Sequence, residues 1–134
     1  RGSLSAVFLT ELLPVTYGVN RTIARCRLTA DGPDDQRVTA ITLVNGGKAR
    51  DRDLQNLFLS FSNGRPLTGV LSSMDHDRVR FVFDPPLIID RGHQRIFTLH
   101  ADVRAGRRQT IAFSVEEQSD IEAEVSRGRR PFAP

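Results

Sequence analysis

The stretch Gln94–Val103 (QRIFTLHADV) decides the fold class, because its apolar and polar side chains alternate with a period of two. Successive side chains of a β-strand point to opposite faces, so one face of this segment carries Phe97, Leu99 and Val103. The opposite face carries mostly polar groups. The pattern predicts a strand that turns one face toward a hydrophobic core.

The same alternation recurs before and after this segment. Arg78–Phe83 (RVRFVF) and Gln109–Val115 (QTIAFSV) each place every second residue on an apolar face. We expect Gln109–Val115 to pair antiparallel with Gln94–Val103, since a short arginine-rich connection joins them. The predicted shared core contains Val79, Phe81, Phe83, Phe97, Leu99, Val103, Ile111, Phe113 and Val115.

Further segments with strand character lie on both sides of these three. Ser3–Thr10 and Leu13–Tyr17 form a first strand split near Pro14, which we place along a sheet edge because proline cannot donate to a ladder. The core face of Arg21–Ala30 is predicted to carry Thr22, Ala24, Cys26 and Leu28. Other strands are predicted at Val38–Val44, Leu57–Ser62 and Ser119–Val125.

Turn-forming residues separate the strands. The segment Asp31–Asp35 (DGPDD) is expected to connect two antiparallel strands, and Asn63-Gly64 is a strong hairpin signal. Asp84-Pro85-Pro86 is expected to end the strand that begins at Arg78. Short strands between such turns predict an all-β protein, a two-sheet antiparallel β-sandwich of about seven to nine strands, with a closed barrel as the alternative.

Length and composition fit one domain. Of the 134 residues 39% are hydrophobic and 26% charged, which is typical of a globular domain. We assign residues 1–126 to a single domain and 127–134 to a basic tail containing Gly and Pro. No apolar run approaches the ~20 residues of a membrane-spanning helix, so no membrane span is expected. The formal net charge is only +3, which does not by itself indicate nucleic-acid binding.

Motifs for catalysis are missing from the sequence. The three histidines lack zinc-site spacing, and no GxSxG turn presents a serine nucleophile. His100 and Asp102 are expected to form a surface pair on one strand face. Cys26 is predicted to be a small buried side chain, and Asn20 begins a sequon for N-glycosylation whose use the sequence does not decide. The sequence therefore predicts no enzyme and no cofactor.

Aspartates in one loop form a weak candidate calcium site. Asp31, Asp34 and Asp35 supply hard oxygen ligands, but they do not match a twelve-residue calcium loop. Aspartate is also a common turn residue, so turn formation is the favoured interpretation.

Two arginine clusters form candidate sites for a polyanion. Arginine binds phosphates and carboxylates through charge-assisted hydrogen bonds. The alternative is a solvated face that pairs with the 16 acidic residues, and this alternative is favoured because surface aromatics for base stacking are scarce. The candidates are Arg104, Arg107 and Arg108 in one turn and Arg127, Arg129 and Arg130 in the tail.

The first predicted strand is a candidate for self-assembly. Leu4, Ala6 and Phe8 share one face of a β-prone segment. This segment could pair with its own sandwich or complete the exposed sheet edge of a neighbouring molecule.

Five segments follow one another in a suggestive order: Leu28–Gly32, Val38–Leu43, Asp53–Leu59, Ile89–Gly92 and Leu99–Val103. This order resembles the immunoglobulin-like β-sandwich modules of bacterial surface-layer, pilus-associated and other cell-surface proteins. The resemblance covers about residues 22 to 116, and it rests on structural motifs. It implies a non-enzymatic structural or adhesive module outside the cell, for example a subunit of a pilus, filament or surface layer, with self-assembly or other surface proteins as partners. A β domain that binds polyanions or nucleic acid is the alternative, with nucleic acid less favoured.

Overall fold

The computed structural model describes residues 4–8, 13–15, 18–104 and 109–126, so the predicted tail at 127–134 lies outside the described residues. Within these ranges the chain consists of β-strands and two 3-10 turns, Asp51–Asp53 and Gln118–Asp120, without an α-helix. The strands are β1 (Leu4–Phe8), β2 (Leu13–Val15), β3 (Gly18–Ala30), β4 (Asp35–Asn45), β5 (Leu54–Phe61), β6 (Leu71–Ser73), β7 (Arg78–Ile89), β8 (Gln94–Val103), β9 (Gln109–Ile111), β10 (Phe113–Ser114) and β11 (Ile121–Ser126).

The strands form two antiparallel sheets and one small ladder. The first sheet has five strands in the order β1-β3-β8-β5-β6. In the four-stranded sheet β4 lies in the middle, with β7 along one side and β10 and β11 along the other. β2 and β9 form a separate two-stranded ladder. The predicted two-sheet antiparallel sandwich is confirmed, and the two sheets end at free edges where a barrel would close.

One hydrophobic core lies between the sheets. Its large side chains include Phe83 of β7 and Phe97 of β8, whose rings lie 6.1 Å apart in an edge-to-face arrangement. Every member of the predicted shared core is buried except Val115, which is partly buried against the same cluster. Cys26 is also buried, as predicted, and burial raises the pKa of its thiol to about 12.

A bulge in β3 changes which residues face the core. The register with β8 shifts between Thr22 and Ala24, so Ile23 and Ala24 are both buried although they are neighbours in the chain. The core face predicted from strict alternation is therefore right for Ala24, Cys26 and Leu28 and wrong for Thr22, which is exposed.

One predicted pairing is wrong because the chain crosses between sheets. Gln109–Val115 does not pair with β8: β9 pairs with β2, and after Ala112 the chain joins β4 as β10. The turn after Ala30 likewise connects β3 in one sheet to β4 in the other, so the two strands are not paired. Alternation identifies strands, but it does not identify their partners.

The prolines interrupt a ladder without ending β7. Val82 lies opposite Ala40 of β4, and the next paired residue, Leu87, lies opposite Val38. The residues between, including Pro85 and Pro86, bulge out of the ladder, where a missing backbone donor is tolerated. The prediction that the strand ends at Asp84 is therefore wrong, because pairing resumes and continues to Ile89.

Candidate functional site

Two of the aspartates proposed as calcium ligands accept hydrogen bonds from other segments of the chain. The carboxylate of Asp31 accepts a hydrogen bond from Ser5 Oγ at 3.3 Å, and that of Asp35 accepts one from the backbone N–H of Arg91 at 2.9 Å. In the described part of the chain, no three His, Cys, Asp or Glu side chains come together in a group that could hold a metal ion. In the described residues, Asp31, Asp34 and Asp35 are therefore not gathered into such a group.

Of the candidate polyanion residues, the structure describes Arg104. It lines an open cleft of about 350 Å³ together with Asp102, so the cleft already contains a carboxylate. Hydrogen bonds from Asn56 and the Asn20 backbone, with the charge of Arg104, lower the pKa of Asp102. The remaining candidates lie outside the described residues: Arg107, Arg108, Arg127, Arg129 and Arg130.

His100 contacts a serine instead of the expected aspartate. Its Nε2 lies 2.7 Å from Ser60 Oγ, and its ring stacks on Phe58 at 4.8 Å. Ser60 Oγ also donates to the carbonyl of Phe61 at 3.0 Å, and the Nδ1 atom of His100 is buried without a hydrogen-bond partner among the described residues. Asp102 accepts instead from Asn56 at 2.7 Å. The ring therefore links β5 and β8, and the predicted surface pair with Asp102 is wrong.

The first strand forms one edge of the five-stranded sheet. β1 pairs with β3 of the same molecule, with Leu4 opposite Ala30 and Phe8 opposite Cys26. Leu4 is buried, Ala6 and Phe8 are partly buried against the core, and Val7 on the outer face is 44% exposed. Of the two predicted arrangements, the structure shows pairing with its own sandwich, which leaves the other side of β1 without a strand partner among the described residues.

β1 lacks the features that protect the other described edges from pairing with another molecule. β6, at the opposite edge, has three residues. β7 carries Arg78, Arg80 and the proline bulge, and β11 carries two glutamates and a bulge. β1 (LSAVF) contains no charge, no proline and no bulge. We call its unpaired side the β1 edge, and it is the strongest candidate for contact with another chain.

The sequence identified the β1 segment as a candidate, but only the sheet topology shows how its edge differs from the other edges.

In the part of the chain that the structure describes, no helix is long and apolar enough to cross a membrane. No protein-family model, curated protein or solved structure matches the chain. The resemblance to immunoglobulin-like surface modules therefore stays a hypothesis.

Proposed function

We propose that this chain is a non-enzymatic structural or adhesive module that acts outside the cell and assembles with copies of itself through the β1 edge. The observation that carries the proposal is that β1 is a five-residue edge strand without charge, proline or bulge, whereas each other edge of the two described sheets is short, charged or bulged. A surface layer, pilus or filament is the kind of assembly that such a module would build.

The sequence of β1 suits antiparallel pairing with the same strand of a second copy. A two-fold axis at Ala6 places Leu4 of one copy opposite Phe8 of the other, and Ser5 opposite Val7. The partly buried Phe8 would then be covered by an apolar side chain, and the backbone groups of both edges would be paired. The carbonyl of Leu4 would exchange its present donor, Gln118 Nε2 at 3.3 Å, for a backbone N–H of the second copy. This contact joins copies in pairs, so an extended array requires a second contact elsewhere.

Charges introduced on β1 test this geometry. The double variant S5K/V7K places lysines directly opposite each other in the two-fold pair and should abolish dimers, because like charges across a ladder repel. The matched variant S5E/V7K places opposite charges there and should retain dimers. The measurement is sedimentation equilibrium of the full chain over a range of concentrations, with circular dichroism to verify folding.

Three results would overturn the proposal. The first is a wild-type chain that is monomeric up to about 1 mM, a concentration at which an association free energy of about 4 kcal/mol would produce detectable dimers. The second is equal dimerisation of the two charged variants. The third is a dimer that both variants lose equally, since the sign of the charge would then not matter.

A further inference from the structure

An open groove of about 500 Å³ lies where β5 ends and β8 begins. Its wall includes the turn after Phe61, with Asn63 and Arg65, and the first residues of β8, with Gln94 and Arg95. This volume is in the range of about 300–1,000 Å³ that small ligands occupy in proteins. We call it the Arg65–Arg95 groove.

The Asn63-Gly64 turn gives the groove a defined wall. Gly64 has φ +91°, a conformation that favours glycine, and its N–H donates to the carbonyl of Phe61 at 2.9 Å. The side chain of Asn63 accepts from the backbone N–H of Arg65 at 3.0 Å. The guanidinium of Arg65 lies 5.9 Å from the centre of the Phe61 ring, a cation–π contact that orients it.

Within the described ranges of the chain, the arginines of this region have no acidic partner. No carboxylate of those ranges lines the groove, and Arg95 makes no ion pair or side-chain hydrogen bond with them. Ile96, another groove residue, lies opposite Arg27 of β3, and Arg25 lies two residues further along that strand. Among the described contacts both of these arginines also lack an ion pair. These two arginines share the outer face of the five-stranded sheet with Ile96, whereas Arg95, which lies opposite the buried Leu28, starts on the other face.

The four-stranded sheet shows the opposite arrangement. Its exposed arginines each meet a glutamate, and the closest of these contacts measures 2.6 Å. The small net charge of +3 therefore hides an uneven distribution, with ion pairs on the four-stranded sheet and without described ion pairs for Arg25, Arg27 and Arg95 on the five-stranded sheet. The pairs are Arg37 with Glu124, Arg78 with Glu116 and Arg80 with Glu122.

We propose that the Arg65–Arg95 groove binds the carboxylate or sulfate groups of an acidic polysaccharide. Guanidinium forks match the geometry of these anions, and the amides of Asn63 and Gln94 can bond sugar hydroxyls. Nucleic acid fits less well, because base stacking needs an open aromatic face and Arg65 covers the ring of Phe61. This inference is independent of pairing at the β1 edge.

The test uses heparin as the sulfated probe and polygalacturonate as the carboxylate probe, at one fixed salt concentration. R65Q/R95Q should weaken binding of at least one probe by about tenfold or more, because two charge-assisted contacts are lost. The matched control R37Q/R52Q removes the same charge outside the groove and should change affinity by less than about twofold. The single variant R95Q breaks no described contact and should also weaken binding. It keeps the test valid if the double variant fails to fold.

Several outcomes would overturn the inference. Wild-type protein that binds neither polysaccharide would do so, as would an equal loss in groove and control variants. Single-stranded DNA that binds as tightly as heparin, with a steep salt dependence, would show a general polyanion surface in place of a glycan site. The S5K/V7K variant should bind the polysaccharides normally, which separates failure of this inference from failure of the assembly proposal.

Discussion

At the scale of single residues, the burial of His100 disfavours its charged form. The hydrogen bond between Nε2 and Ser60 and the stacking on Phe58 fix the ring, while Nδ1 is buried without a partner. The protonated ring carries an N–H on both nitrogens, and the one on Nδ1 would be buried without an acceptor among the described residues. Burial accordingly lowers the pKa of His100.

The stability of the protein should therefore fall as the solution is acidified below the ordinary histidine pKa of about 6.5. The unfolded chain takes up the proton first, so the contribution of His100 is complete above that pKa, declines as pH falls through it, and levels off below the lower folded pKa. Urea unfolding at several pH values should show this decline in the wild type and a smaller one in His100→Gln. His93→Gln, which changes an exposed ring, is the control, and identical profiles for wild type and His100→Gln would contradict the prediction.

Where a strand is regular, the alternation in its sequence correctly predicts which residues are buried. Val79, Phe81 and Phe83 are all buried because nothing disturbs the alternation in that part of β7. The exposure of Thr22 and the burial of Ile23 were not predictable, because a bulge shifts the alternation by one residue and leaves no local signature in the sequence.

At the scale of elements, the loop after β4 is fitted closely against the chain around β9 and β10. The amide N–H of Gly46 donates to the carbonyl of Ala112 at 2.8 Å, and that of Ala49 donates to Thr110 at 3.0 Å. The buried side chain of Asn45 accepts from Ala112 N–H at 2.9 Å and donates to the carbonyl of Ala49 at 3.1 Å. The sequence Asn45-Gly46-Gly47 predicted a turn, but it gave no sign that this turn joins two distant segments.

Gly47→Ala should destabilise the protein by roughly 1–3 kcal/mol, the usual cost of overpacking. A Cβ at this position would lie 2.7 Å from the backbone carbonyl carbon of Thr110 and 2.9 Å from the nitrogen of Ile111, and backbone cannot move aside as a flexible side chain can. Gly46→Ala is the matched control, because its Cβ would meet nothing closer than 3.7 Å. Chemical unfolding measures both, and equal stability of the two variants would show that the loop lies further from β9.

At the scale of the whole molecule, the chain changes sheets repeatedly, and this limits what local patterns can predict. β3 pairs with β8 and β4 with β7, whereas β5 and β6 are neighbours both in sequence and in the sheet. Alternation in the sequence predicts which segments are strands and which of their side chains face the core. It does not predict which strands pair, because pairing depends on contacts between distant segments. The β1 segment could therefore be predicted from sequence as an assembly candidate, while the Arg65–Arg95 groove could not, because it joins the end of β5 to the start of β8.

The folded molecule should not depend on calcium, because carboxylates of the proposed site already accept hydrogen bonds from the protein. Asp35 accepts from the backbone N–H of Arg91, and Asp31 accepts from Ser5 Oγ. A calcium ion at 100 times its dissociation constant would add about 2.7 kcal/mol, a shift of several degrees in melting temperature for a domain of this size. We expect thermal melts with calcium, with magnesium at equal concentration and with a chelator to coincide, whereas a rise of several degrees specific to calcium would restore Asp31, Asp34 and Asp35 as ligands.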